Sequence, residues 1–97
     1  MRDKTQTEIV RYREVELDGA KYHYELIMKK SKKVISYRLP LYSIYVRMRD
    51  KDGNETDAQI TDVFSDIGKA IVFFQKIVDN LVTPIDLPYI FEDQILV

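Results

Sequence analysis

Two periods divide this chain. Up to about residue 64, apolar and polar side chains tend to alternate every second residue; after Ser65 they recur every three or four. The first period predicts strands and the second predicts helices. Residues 8–17 are rich in Ile, Val and Tyr and stop at Asp18-Gly19, a hairpin signal, since a two-residue turn needs positive φ and these residue types supply it. Tyr22, Tyr24, Leu26 and Met28 then fall on one face, with Lys21, His23 and Glu25 on the other and Ile27 as the exception. Lys29 to Lys33 reads as a solvated connection, and Val34 to Leu39 as a further extended segment that meets Pro40. Tyr42, Ile44, Val46 and Met48 alternate against Ser43, Tyr45, Arg47 and Arg49. Asp50-Lys51-Asp52-Gly53-Asn54 predicts a turn, and residues 56–64 a returning fourth strand.

Ser65 or Asp66 is suited to cap a helix, because a short oxygen-bearing side chain accepts from the free amides of the first turn. Ile67, Ala70, Ile71, Phe74, Ile77, Val78 and Leu81 follow helical spacing toward a stop at Asn80. Thr83-Pro84 breaks the chain, and a second short helix is expected from Asp86 or Pro88 to Leu96, with Pro88 tolerated in its first turn. Strands first and helices last predict an α+β fold, an antiparallel meander of about four strands with two C-terminal helices packed on one face. The helices should cover Tyr22, Tyr24, Leu26, Ile44 and Val46. Val72, Phe73 and Val82 lie off the helical stripe and form a candidate interface, to be covered by the second helix, a second copy or another protein.

Length adds that residues 1–97 form one domain, with 1–7 a loosely held tail. No cysteine is present, which removes disulfides and thiol chemistry. The longest uninterrupted apolar run, Ala70–Phe74, is far short of the roughly 18 residues of a membrane span. The N-terminus lacks the apolar core of a signal peptide, so a soluble, cytoplasmic protein is expected. Charge is divided more sharply than the net −1 suggests. Residues 21–49 hold eight bases and one acid, and residues 50–97 hold ten acids and three bases.

That basic middle supplies the candidate binding surface: His23, Lys30, Lys32, Lys33, Tyr45, Arg47 and Arg49. Interleaved rings and cations are what sheets use to stack bases and pair phosphates, so a nucleic-acid-binding module is one reading. The near-neutral total and the polar open face equally fit a protein-binding sheet. No catalytic, cofactor or metal residues are assigned. His23, the only histidine, stands mid-strand without an evident nucleophile. Asp50, Asp52 and Gly53 resemble part of a calcium loop, but Met48 and Gln59 stand at its ligand positions. Gly68-Lys69 lacks the earlier glycine and the hydroxyl of a phosphate loop. Asp57, Asp62 and Asp66 read as a solvated strand edge and a helix N-terminus.

Tyr42-Ser43-Ile44-Tyr45-Val46, a Gly-containing turn, then Ala58, Ile60, Asp62 and Ser65 resemble a family of small uncharacterised clostridial proteins. Val82-Thr83-Pro84-Ile85-Asp86-Leu87, Ile90 and Glu92-Asp93 continue the resemblance, which covers roughly residues 20–96. It implies a domain of unknown function in a Gram-positive bacterial cytoplasm and carries over no functional residue. The expectation is a non-enzymatic protein-interaction or regulatory module, able to pair with itself, with nucleic-acid binding as the alternative.

Overall fold

The computed structural model describes the backbone of residues 5–31 and 40–96, and the side chains of residues 7–30 and 40–93. Strands β1 (Thr5–Leu17), β2 (Ala20–Ser31), β3 (Leu41–Arg49) and β4 (Glu55–Phe64) form one antiparallel sheet in the order β1-β2-β3-β4. Helices α1 (Ile67–Asp79) and α2 (Leu87–Leu96) follow. This is the four-strand meander and helix pair that the pattern of side chains predicts.

The turns set the register. Asp18 and Gly19 both take positive φ, 54° and 82°, so a two-residue turn joins β1 to β2 and pairs Leu17 with Ala20. A Cβ on Gly19 would stand 3.2 Å from the Cβ of Lys51, because the β3–β4 turn lies against it. In that second turn the Asp50 carboxylate accepts from the Asn54 and Asp52 amides at 2.9 Å, and these bonds, that from Asn54 first, hold its pKa below the ordinary carboxylate value.

Two boundaries differ from the sequence reading. Thr5–Thr7, expected as part of a loose tail, pair with Ser31, Lys30 and Lys29 in the β1–β2 ladder. Lys29–Ser31 therefore continue β2 and are no solvated connection. A polar strand end is held here by backbone hydrogen bonds, which side-chain polarity does not reveal. The extended segment expected over 34–39 lies outside the described residues.

The core forms where the even-numbered face of β2 and β3 meets α1. Tyr24, Leu26, Ile44 and Val46 are fully buried, and Ala70, Phe73, Phe74, Ile77 and Val78 of α1 pack on them. Leu87 of α2 closes the end of this cluster. Asp66 caps α1, its Oδ1 accepting from the Gly68 amide at 2.7 Å and the Lys69 amide at 3.4 Å. At the other end Leu81 takes φ 48°, its amide bonding the Val78 carbonyl while the Val82 amide reaches Ile77. This satisfies the last carbonyls but places a branched residue where glycine is the usual choice.

α1 lies across β2, β3 and β4, and α2 lies against β4. The far strand β1 carries the exposed Ile9, Tyr12 and Leu17. The protein is thus a slab of 48 × 33 × 18 Å, one sheet and one helix layer thick. The candidate interface residues separate accordingly. Phe73 and Val82 are buried inside the chain, whereas Val72 is 70% exposed. Phe73 is covered by Phe64 and Phe91, their rings 5.5 and 5.8 Å away.

Tyr24 ties the layers together. Its hydroxyl donates to the Val82 carbonyl at 3.0 Å inside the core. Burial, with Tyr22 adding to it, pushes its phenol well above the ordinary 10.0. The folded state therefore retains this proton longer than the unfolded chain, so the stabilisation is complete below pH 10 and declines as pH rises beyond it. Tyr24→Phe leaves the Val82 carbonyl without its donor and should lower stability by about 1–2 kcal/mol at neutral pH. Denaturant titrations between neutral and strongly alkaline pH should give a flatter decline in that variant than in the wild type; equal slopes would remove Tyr24 as the cause.

Candidate functional site

The helix layer leaves the odd-numbered face of β2 and β3 bare, and the ladder arranges that face in rows. One row runs Glu16, Lys21, Arg49, Glu55 across β1 to β4; the next runs Glu14, His23, Arg47, Asp57; the third runs Tyr12, Glu25, Tyr45, Gln59. In the first two rows the outer strands carry acids and the inner strands carry cations or His23. The basic middle of the sequence is therefore flanked on both sides by carboxylates.

Several of these neighbours are bonded. Arg49 Nε and Nη2 both donate to Glu55 Oε2, at 3.1 and 2.8 Å. The Tyr45 hydroxyl donates to Asp57 Oδ2 at 3.1 Å. Partial burial first, and then Asp57, raise the Tyr45 phenol above its ordinary value. Exposed ion pairs of this kind contribute at most about 1 kcal/mol each to stability. Their larger effect is to cancel the positive field that residues 21–49 would otherwise project.

His23 occupies the centre. Its Nε2 stands 2.6 Å from Glu25 Oε2 and its Nδ1 stands 3.4 Å from Glu14 Oε2. The Tyr12 and Tyr45 rings flank the imidazole, with centroids 5.5 and 6.3 Å away. The side chain is 15% exposed, sheltered by its neighbours. Both ring nitrogens face carboxylates, and among the described residues no hydroxyl hydrogen-bonds the ring. Beside it a shallow cavity of about 420 Å³ opens toward the turn end of the sheet, between Glu14, Glu16, Lys21, Arg47, Arg49 and Glu55.

A second polar cluster marks the far end of β4. The register slips between the Ile44–Ile60 and Tyr42–Phe64 pairs, and Asp62 in this bulge takes φ 56°. Its amide donates to Ser43 Oγ at 2.8 Å, and its Oδ2 pairs with Lys29 Nζ at 2.9 Å. Its buried Oδ1 has no hydrogen-bond partner among the described residues. Ser43 is itself 3% exposed, so it serves as an internal anchor for the bulge.

The predicted surface is only partly assembled. His23, Tyr45, Arg47 and Arg49 share the bare face. Lys30 does not, because strand alternation puts it on the same side as Met28, toward the helix layer. Lys32 and Lys33 lie outside the described residues. Tyr12, Glu14 and Asp57, which belong to the cluster, were not singled out for it. The Asp18-Gly19 turn carries the signal for two of them, since fixing its length aligns Tyr12 with Glu25 and Glu14 with His23. The acids Asp57, Asp62 and Asp66 serve three separate contacts, with Tyr45, Lys29 and the α1 cap. Among the described residues no group of three His, Asp or Glu side chains is placed to hold a metal, and no helix is long and apolar enough to cross a membrane.

The Ser43 anchor is directly testable. Ser43→Ala removes the acceptor of the part-buried Asp62 amide and should cost about 1–3 kcal/mol. Chemical denaturation of the two proteins measures the difference, and hydrogen exchange should quicken at Asp62 while the β1–β2 ladder stays protected. Unchanged stability and exchange would mean that the bulge holds without the hydroxyl.

No curated protein matches the chain. No solved structure matches it either. The family model described as a family of unknown function, DUF6514, matches residues 5–97, from the first described residue of β1 through α2. That match takes in nearly the whole chain, including both polar clusters, and the protein belongs to this family of unknown function.

Proposed function

We propose that this chain is a non-enzymatic interaction module that docks on a protein through its bare sheet face, centred on Tyr12, His23 and Tyr45. The carrying observation is the make-up of that face. Two tyrosines frame a sheltered histidine, and cations on the inner strands are flanked by acids on the outer ones. Tyrosine supplies large contact area with little side-chain entropy to lose, and enrichment in such rings is characteristic of protein interfaces. Such a charge pattern selects orientation and partner more than it adds affinity. The engagement of both His23 nitrogens by carboxylates supports a structural role for the ring over proton transfer in catalysis. The resemblance of residues 20–96 to clostridial proteins supports a Gram-positive cytoplasmic setting for this activity.

Nucleic-acid binding through the same face is the weaker reading. Non-specific affinity comes from cations that neutralise phosphates, and here Arg49 is bonded to Glu55, Lys29 to Asp62, and Arg47 lies opposite Asp57. Lys30, on the opposite side of the sheet, cannot add to that surface.

A photo-crosslinking side chain placed at Tyr12, which is 55% exposed, should capture a discrete protein in cells. Tyr45→Ala in the same background should reduce that adduct by about tenfold or more, the scale of losing one central aromatic contact. An oligonucleotide should not bind at low salt. An adduct indifferent to Tyr45→Ala would overturn the reading. Oligonucleotide binding that falls steeply with salt would replace it with the nucleic-acid reading.

A further inference from the structure

β1 is an outer strand of the sheet, and β2 is its only strand neighbour among the described residues. Every second residue of such a strand turns its amide and carbonyl away from the sheet, where they pair with water or with another strand. The half of β1 next to the Asp18-Gly19 turn suits a further strand. From Arg11 to Leu17 the register with β2 runs unbroken, whereas it slips between Ile9 and Arg11. Six of these seven residues are exposed and Val15 is half-buried. The charges of this stretch are sorted by side. Glu14 and Glu16 share the bare side with Tyr12, while Arg11 and Arg13 share the other side with Val15 and Leu17. Arg13 and Glu16 make no ion pair among the described residues. Arg11 donates from Nη1 to the Val10 carbonyl at 3.0 Å, and Glu14 stands 3.4 Å from the His23 ring.

This sorting argues against a second copy as the neighbour. Antiparallel pairing of two β1 strands about a two-fold axis lays each side against itself, acids beside acids and arginines beside arginines. The β4 strand of another copy, set alongside with bare sides together, brings Glu55 and Asp57 to the same acids. β2, already paired with this stretch, shows what fits it: Lys21 stands opposite Glu16, and His23 opposite Glu14. We infer that the free edge of Arg11–Leu17 takes an extended segment of another protein as an added antiparallel strand. The segment carries bases opposite Glu16 and Glu14, acids opposite Arg13 and Arg11, and apolar side chains opposite Val15 and Tyr12. Along the segment the order is base, apolar, base, acid, apolar, acid. Backbone hydrogen bonds hold it, and the opposed charges fix its register. The contact uses the edge of β1 and not the face of β2 and β3, so it stands independently of the docking role of that face.

The probe is a peptide with Lys-Val-Lys-Glu-Tyr-Glu at its centre, titrated into the full chain at low salt and followed by nuclear magnetic resonance. Its binding should slow hydrogen exchange at alternate amides between Arg11 and Leu17. The charge-reversed peptide, Glu-Val-Glu-Lys-Tyr-Lys, has the same apolar residues and should bind about tenfold more weakly or worse, since each opposed pair turns from attractive to repulsive. Added salt should narrow that difference. Arg13→Glu combined with Glu16→Arg changes two exposed side chains, so circular dichroism should be unaltered while the preference between the peptides disappears. Tyr45→Ala should leave peptide binding unchanged, which separates this edge from the sheet face. Failure of the first peptide to bind, equal binding of the two peptides, or binding that leaves the β1 amides exchanging as before would each overturn the inference. So would slowing of those amides with the chain's own concentration and no peptide present, which would assign the edge to a second copy.

Discussion

The structure depends on the burial of one row of side chains. Tyr24, Leu26, Ile44 and Val46, on the two inner strands, form a continuous apolar strip that a sheet this small cannot leave in water. α1 supplies the cover through Ala70, Phe73, Phe74, Ile77 and Val78. Truncating any of the larger of these side chains removes transfer energy and leaves a cavity, a loss of about 2–5 kcal/mol against a total stability of only about 5–15. Everything else follows from which strands the helix layer reaches. β2, β3 and β4 lie beneath it, and β1 extends past it with both faces largely in solvent.

Once one sheet face is committed to the core, its reverse is committed to water, and the charge distribution acquires its meaning there. In the sequence, bases and acids occupy separate stretches. In the sheet, the meander folds the acidic β4 against β3, and the first hairpin brings Glu14 and Glu16 alongside β2. The separation along the chain becomes a basic centre flanked by acids on both outer strands. A field that would attract polyanions is thereby converted into a set of local contacts that favour a partner of matching pattern. The His23 cluster belongs to this arrangement: the register with β1 places Glu14, and strand alternation places Glu25 on the same face of β2.

The helix layer repeats this on a smaller scale. Val72, Phe73 and Val82 look equivalent as off-stripe apolar residues, yet two are sealed and one is bare. Phe73 is closed over by rings from β4 and α2, and Val82 lies under the end of α1, where its carbonyl receives the Tyr24 hydroxyl. Val72 stays 70% exposed on the same helix as Phe73.

The sequence by itself determined the elements and their order. Alternation in residues 21–28, broken at Ile27, and in 42–49 gave each strand a wet and a dry side, the Asp18-Gly19 pair fixed a tight turn, and the three-to-four spacing after Ser65 with an Asp66 cap defined α1. These are local properties, set by backbone geometry and by which side chains avoid water. Pairing between distant residues was decided only in three dimensions. Whether Lys30 joins His23 depends on strand parity carried through to the end of β2. Whether Asp62 anchors on Ser43 depends on a bulge, and whether Arg49 is neutralised depends on the register with β4. Long-range register and the reach of one helix over another are collective outcomes of packing, and no single stretch of the chain encodes them.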